Sequence, residues 1–530
     1  MLSIFNLTIF AFWLISSLID FFEYTYLWQL KEYRWDRFKD FLSTVEGKIF
    51  FTRYQFLWRS LIALLLFFWI NDATIIIKSC LLSLFVIDFL WGLFKLFKHQ
   101  IMRPTFTSKA LLVLLLSLIL EGGLFLIRKD WESLLILVMM RFFTVSIVVW
   151  LINQPSSLIK RLIIKLAAKK IKQYKNLKVI GITGSYGKSS VKTFLFHILQ
   201  NKFKVIKTPY NINTEIGIAK LILKTDFKDI DIFICEMGAY SQGEIKAICN
   251  LVNPLIGILT AINEQHLSLF GNIKITQKTK YELLRALSKN GLAVVNSDNS
   301  FCREFLGDLN TNVETFGFHE EFKPTFLLKN VKTTEEGIYC TGLYNNLEGS
   351  VQVPIMGEHN FMNIAPCFLV GMFLGMTREE VRERCKSLKM PDGVMQLKKY
   401  GEALVIDDSY NSNPDGFKAA LQVLQKYPSK RRRIIITRGM LELGVETNEL
   451  HEQIGEEISL VAEELVIITR DFEESLTSGV GTKFKTEIKK IYDSNALLLY
   501  LKSLKNQHCV ILMENRMPTN IHEELNKNSF

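Results

Sequence analysis

Two kinds of pattern divide the chain. Up to about residue 155, apolar residues run on with few breaks, near 4–22, 56–71, 73–94, 109–127 and 132–152. Most of these runs approach the roughly 20 residues a helix needs to cross a bilayer. From about residue 176 the apolar stretches shorten and alternate with amphipathic ones. LKVIGIT (177–183) reads as a buried strand and SSVKTFLFHILQ (189–200) as a helix. Farther on, EALVIDD (402–408), RRRIIIT (431–437), EELVIIT (464–470) and HCVILME (508–514) read as strands, with helices near 414–426 and 447–459. The pattern predicts a multi-domain chain: an N-terminal α-helical transmembrane region of about five helices (1–155), a basic juxtamembrane linker (156–175), a central α/β domain (176–391) and a Rossmann-like α/β C-terminal domain (392–530).

Composition supports the division. The 530 residues are 49% hydrophobic and 22% charged, with a mean hydropathy of +0.17, too apolar for a wholly soluble chain and too charged for a wholly membrane one. Disorder and a small disulfide scaffold are excluded. The eight cysteines are scattered, with no C-x-x-C pair, which suits a reducing cytosol. The net charge of +11 is concentrated in Lys160, Arg161, Lys165, Lys169, Lys170, Lys172, Lys175 and Lys178, directly after the last apolar run. Basic residues there, and in the loops 31–53 and 95–109, follow the positive-inside rule better than they fit nucleic acid. The resulting expectation is a multi-pass protein of the cytoplasmic membrane, in contact with membrane lipids, its α/β domains cytoplasmic and its N-terminus outside. The first run has neither a basic flank nor a cleavage site, so it does not read as a signal peptide. Lys78, Asp88, Glu121 and Arg141, within or near the runs, fit interhelical pairing or snorkelling better than a second functional site.

The candidate chemistry begins between the first strand and helix of the central domain, at GSYGKSS (184–190). Backbone N–H groups of such a loop point at a phosphate, Lys188 adds a mobile positive charge, and the Ser189 hydroxyl can hold Mg²⁺. The spacing G-x-x-x-x-G-K-[ST] is not met, since Ile182 stands five before Gly187, and a tight strand-to-helix turn would look similar. Glu236 closes the apolar run of ICEMGA, at the strand end where open α/β sheets bind ligands, and its carboxylate can coordinate Mg²⁺. His266 follows a second apolar strand, LIGILTAI (255–262), toward the same rim. Taken alone, that histidine would seldom be a ligand, and Lys280 would be a solvated helix lysine.

In order along the chain, TGSYGKSS (183–190), TPYNINTEIG (208–217), EMGAYSQGEI (236–245), LTAINEQHLSLFGN (259–272), KTKYELL (278–284), VVNSDN (294–299), GEHNFMNIA (357–365) and DDSYNSNP (407–414) resemble the motifs of the Mur ligase family, over about 176–450. EMGA-x-x-x-GEI, HL-x-x-FG and DDSYN-x-NP look most like its MurF type, which adds D-Ala-D-Ala to the peptidoglycan stem peptide. The resemblance implies an ATP- and Mg²⁺-dependent amide ligase that works through an acyl phosphate on a peptidoglycan precursor and an amine substrate, with no nucleic acid. It implies an ATP site of Thr183, Gly184, Ser185, Gly187, Lys188, Ser189, Ser190, Asn211 at the γ-phosphate, Asn363 at the adenine, and Asp408 with Tyr410. A metal shell for two Mg²⁺ would comprise Ser189, Glu236, His266 and a carbamylated Lys280, with Lys188, Glu236, His266 and Lys280 as the catalytic set. Asn411, Asn413 and Arg516 would face the acceptor. Three departures accompany the match. GVM (393–395) puts Val394 where the family has an arginine, MENR (513–516) replaces K-G-S-R, and the apolar runs stand where the family grips UDP. A poly-glutamate or capsule-type ligase, a lipid-linked acceptor, and a non-catalytic nucleotide-binding membrane protein are the alternatives.

Overall fold

The structure, a computed structural model, describes residues 4–43, 47, 75–98, 101–128, 131–209, 212–263, 272–334, 337–391, 393–409, 412–428, 430–441, 443, 447–481 and 486–527. It forms two compact units, Met1–Arg161 and Leu162–Phe530.

In the first unit, helices Ile4–Leu30, Trp35–Ser43, Ile75–Phe97, Ser108–Arg128 and the start of Trp131–Ile171 are described. All but Ile75–Phe97 share a core containing Phe21, Phe38, Val113 and Val145, and Ile75–Phe97 stacks Phe89 on Phe12 of the first helix. Arg141, fully buried, pairs with Asp20 at 2.6 Å and approaches Glu121 at 3.9 Å. Ser16 links Arg141 (2.8 Å) to Asp88 (3.1 Å), and Lys95 pairs with Glu23 at 3.0 Å. The side chain of Lys78 and the run 56–71 lie outside the described residues.

The expected five-span, multi-pass location in the cytoplasmic membrane does not hold. Among the described residues one helix, Met140–Ile171, is long and apolar enough to cross a membrane. Periodicity cannot separate a spanning helix from a packed one, and residues of the runs near 4–22, 109–127 and 132–152, among them Phe21, Val113 and Val145, go into the unit's own core. Residues 156–175, read as a linker, are helical as far as Ile171, and Ala167 and Ile171 are buried in the core of the second unit.

The second unit contains two sheets. The larger has the order β2-β3-β1-β4-β5-β6-β7-β8-β9, with β1 at Lys178–Thr183, β2 at Val205–Lys207, β3 at Ile232–Glu236, β4 at Ile256–Leu259, β5 at Leu292–Asn296, β6 at Asn312–Gly317, β7 at Phe326–Thr334, β8 at Gly337–Tyr344 and β9 at Leu347–Val353. Strands β1 to β7 are parallel, and β8 and β9 add antiparallel. Alternation along β1 sends Ile180 and Ile182 to one face, under helices Lys188–Leu199 and Phe361–Phe373, and Val179 to the other, under Glu215–Lys224, Glu244–Val252 and Ile273–Arg285. From β1 the chain builds outward on one side through β3 and β2 and on the other through β4, so the strand order reverses at β1, the position where such sheets bind ligands.

The second sheet has the order β10-β11-β15-β12-β13-β14: β10 Gln396–Tyr400, β11 Ala403–Asp408, β12 Arg432–Thr437, β13 Glu464–Ile467, β14 Glu487–Lys490 and β15 Cys509–Glu514. It is parallel except for β10. Helices Pro414–Gln425 and Thr447–Val461 cover one face, Ser494–Leu504 and Thr519–Lys527 the other.

Candidate active site

The loop after β1 is shaped by two glycines with positive φ, Gly184 at 150° and Gly187 at 79°. A Cβ on Gly184 would lie 1.9 Å from Thr260 Oγ1, and one on Gly187 2.6 Å from Asn363 Oδ1, so neither position admits a side chain. Gly187 is the N-cap of helix Lys188–Leu199 and offers no side-chain cap. The first-turn N–H groups are therefore left for a ligand, and the helix dipole favours an anion there. The loop is braced from β4: Ser185 N donates to Ala261 O (2.7 Å), Asn263 N to Ser185 Oγ (3.1 Å) and Thr260 Oγ1 to Tyr186 O (2.5 Å). Thr183 Oγ1 donates to Met237 O at 2.9 Å, and Ser190 is buried.

Lys188 is only part-buried as a residue, but its ammonium is folded inward and donates to Gly184 O (2.6 Å) and Ser185 O (2.9 Å). Burial lowers its pKa, the nearby Glu236 carboxylate opposes the shift, and Lys192 adds to it. Register places Ile182 beside Glu236 at the ends of β1 and β3. The buried Glu236 receives three donors: Ser189 Oγ at 3.0 Å and Lys192 Nζ at 2.7 Å on Oε2, and Asn213 Nδ2 at 3.2 Å on Oε1. Lys280, on Ile273–Arg285, is 2% exposed. Desolvation, reinforced by the charge of Lys188, brings its pKa down to about 7.

Asn263, just after β4, donates through Nδ2 to Asn413 Oδ1 (3.1 Å) and Asp415 Oδ2 (3.0 Å) of the second-sheet domain, tying the two α/β domains together beside the loop. Asp408 and Glu514 are register partners at the ends of β11 and β15, both buried. Burial raises both carboxyls: at Asp408, which reaches about 7, the charge of Asp407 adds to it, and at Glu514, raised well above the carboxylate range, the charge of Asp408 adds to it. Arg516 is exposed, and its N–H donates to Asn515 Oδ1 at 2.8 Å. His266, Asn211, Tyr410 and Asn411 lie outside the described residues.

The structure therefore brings Thr183 to Ser190, Glu236, Asn363 and Asn413 to one neighbourhood, and couples Lys280 to Lys188. Sequence reasoning passed over Lys192, Asn213, Asn263 and Glu514. Lys192 carried a usable signal, since it stands one helical turn after Lys188. The donors fit one Mg²⁺: Glu236 Oε2 and Ser189 Oγ are hard oxygen ligands 3.0 Å apart beside a phosphate-ready helix end, and Mg²⁺ is commonly held by one or two carboxylates plus substrate phosphates. Among the described residues no group of three or more His, Cys, Asp or Glu could hold a metal, so a second ion would need donors such as His266 and a modified Lys280.

A glycine loop at the strand-order reversal, its lysine, and a carboxylate sharing a hydroxyl with the following helix define a nucleotide-phosphate site in an α/β protein of the P-loop class. Residues 182–371 match the Mur ligase middle domain and 395–515 the Mur ligase glutamate ligase domain. Together the matches span more than half of the chain, and it belongs to the Mur ligase family. The UDP-N-acetylmuramoyl-tripeptide--D-alanyl-D-alanine ligase of Bacillus subtilis (strain 168) is 29% identical over 293 residues, 55% of this chain and 62% of that enzyme, so the chain spans slightly less than two thirds of it. The enzyme of the same name from Escherichia coli (strain K12) is 29% identical over 367 residues, covering 68% and 78%. The solved structure of MurF ligase from Thermotoga maritima in complex with ADP superposes with a TM-score of 0.60 at 26% identity, over 69% of this chain and 82% of that one.

Proposed function

We propose that this chain is an ATP-dependent ligase that forms an amide bond through an acyl phosphate, adding D-Ala-D-Ala to a tripeptide-bearing peptidoglycan precursor. The observation that carries the reading is the Lys188, Ser189 and Glu236 arrangement at the strand-order reversal, within a chain matching both Mur ligase domains. A substrate carboxylate attacks the γ-phosphate of ATP, ADP leaves, and an amine then displaces phosphate. Two anions must meet in the first step, so positioning and charge control dominate. Lys188 exchanges its loop carbonyls for the phosphates, and the first-turn N–H groups hold them in place. Bound at Glu236 and Ser189, Mg²⁺ would supply further neutralisation of phosphate charge. Asn363, beside Gly187, is assigned to the adenine, Asn211 to the γ-phosphate, and Asp408 with Tyr410 to the nucleotide. His266 and Lys280 are assigned to a second metal, and Asn411, Asn413 and Arg516 to the acceptor.

The buried position and lowered pKa of Lys280 support its carbamylation, because the neutral amine is the form that adds CO₂, releasing a proton to give an anionic oxygen ligand. A second reading of the acceptor side, an amide ligase with another incoming amine, is favoured by the buried Glu514, which stands where the resemblance has a glycine.

Purified full-length protein is tested for ADP release with UDP-linked tripeptide and D-Ala-D-Ala, beside a panel of other muropeptides and amino acids. Substrate-dependent release that falls about 100-fold or more in Lys188→Ala is expected. Undiminished release in that variant would overturn the reading, and a preference for another amine would replace D-Ala-D-Ala.

A further inference from the structure

Lys192 has no part in the reaction as described, yet it makes the closest contact to the proposed metal ligand. Its ammonium lies 2.7 Å from Glu236 Oε2, the oxygen that also accepts from Ser189, and both side chains are nearly excluded from solvent, at 4% and 2%. The remaining oxygen is held by Asn213. Glu236 is thus neutralised and aimed by protein groups alone.

Lys188 stands beside this pair, its own ammonium feeling the charges of both Glu236 and Lys192. Ammonium groups gathered round one carboxylate give a site that repels a free divalent cation and attracts polyphosphate. A nucleotide's phosphates would offer these lysines another anion, releasing Glu236.

We propose that Lys192 is a positioning residue that occupies the metal's place on Glu236 in the nucleotide-free enzyme, so that a divalent cation gains this carboxylate only in company with the nucleotide. The inference rests on the reading of Glu236 as a metal ligand. A cation within about 4–6 Å changes a carboxylate's proton affinity by roughly 10- to 1000-fold. A divalent ion competing for the same oxygen feels that field at least as strongly.

The test is titration of the full-length protein with Mn²⁺, following the electron paramagnetic resonance signal of free Mn²⁺, without nucleotide and then with saturating ADP. Lys192→Gln is expected to bind Mn²⁺ about tenfold or more tighter than wild type without nucleotide, and the gap is expected to narrow with ADP. Lys192→Arg, which keeps the cation, should restore the weak wild-type binding, an outcome a packing role would not give. Lys192→Met serves if the glutamine variant does not fold. Nucleotide-free affinity equal to or below wild type in the neutral variants would overturn the proposal while leaving Glu236 as ligand, provided Glu236→Gln abolishes binding. Wild-type affinity in Glu236→Gln would instead remove the metal reading itself, and the proposal with it.

Discussion

Lys280 shows how far a residue's surroundings outrun its neighbours in sequence. Taken alone, KTKYELL reads as helix with Lys280 solvated, but the side chain is 2% exposed and its pKa lies near 7. The folded value is depressed below that of a free lysine, so the amine is largely neutral above pH 7 and protonated below it. Carbamylation, and activity that depends on it, should therefore fall as pH drops through about 7. Lys280→Ala is expected to lose most activity and to regain part of it with short carboxylates that enter the vacated space; failure of formate and acetate to restore any turnover, with an unmodified ammonium in ¹³CO₂-labelled wild type by NMR, would refute the modification. Motif chemistry was legible at Lys188, Ser189 and Glu236 because each sits at the end of an apolar strand or start of a helix. Glu514 was not, because its partner Asp408 is more than a hundred residues away in sequence and adjacent only through strand pairing.

That pair carries a pH prediction of its own. Both carboxyls are raised in the folded state, so the fold keeps a proton that the unfolded chain has lost above about pH 4. Stability should fall as pH rises from about 4 through 7, by the linkage relation. Glu514→Gln leaves a neutral amide able to donate to Asp408 and should flatten that fall; equal losses in Tm between pH 5 and pH 8 for the two proteins would refute it.

At the scale of elements, the strands and helices expected at 177–200, 402–408, 414–426, 431–437, 447–459, 464–470 and 508–514 form close to those positions, whereas helix Glu473–Val480, β14 and helix Ser494–Leu504 were not expected. The order of strands in the sheets was not legible either, since it depends on crossovers that leave no local mark. Asn413 illustrates the difference. It is the N-cap of the helix that begins at Pro414, its side chain accepting from Gly416 N at 3.1 Å. Its second bond, from Asn263 across to the other α/β domain, could not be read from either segment. Asn413→Ala should cost about 1 kcal/mol for the lost cap, measured by denaturant melting. Asn263→Ala keeps the cap and loses the bridge, so it should weaken nucleotide binding with a smaller effect on stability. If the two variants behave alike in both measurements, the bridge has no role separate from the cap.

For the whole molecule, the α/β part was legible because its motifs recur in order and each needs a particular turn or strand end. The N-terminal third was not, because an apolar helix looks the same in sequence whether lipid or another helix covers it. The domain boundary is where this matters most. The composition shift points to a start near Lys175, but Ala167 and Ile171 are buried against Ile218, Phe227 and Ile248, and Lys170 Nζ donates to Leu223 O (2.9 Å) and Thr225 O (2.7 Å). Removing residues 162–175 would strip this cover from Phe227 and its neighbours, exposing apolar surface worth about 25 cal/mol per Å². Residues 162–530 should therefore express as a folded unit with nucleotide affinity close to that of the full chain, whereas 176–530 should melt at lower temperature and aggregate more readily. Equal melting temperatures for the two truncated proteins would show that the last turns of helix Trp131–Ile171 contribute nothing to the catalytic unit. Loss of ADP binding in 162–530 would show instead that the first unit is needed for the nucleotide site to form.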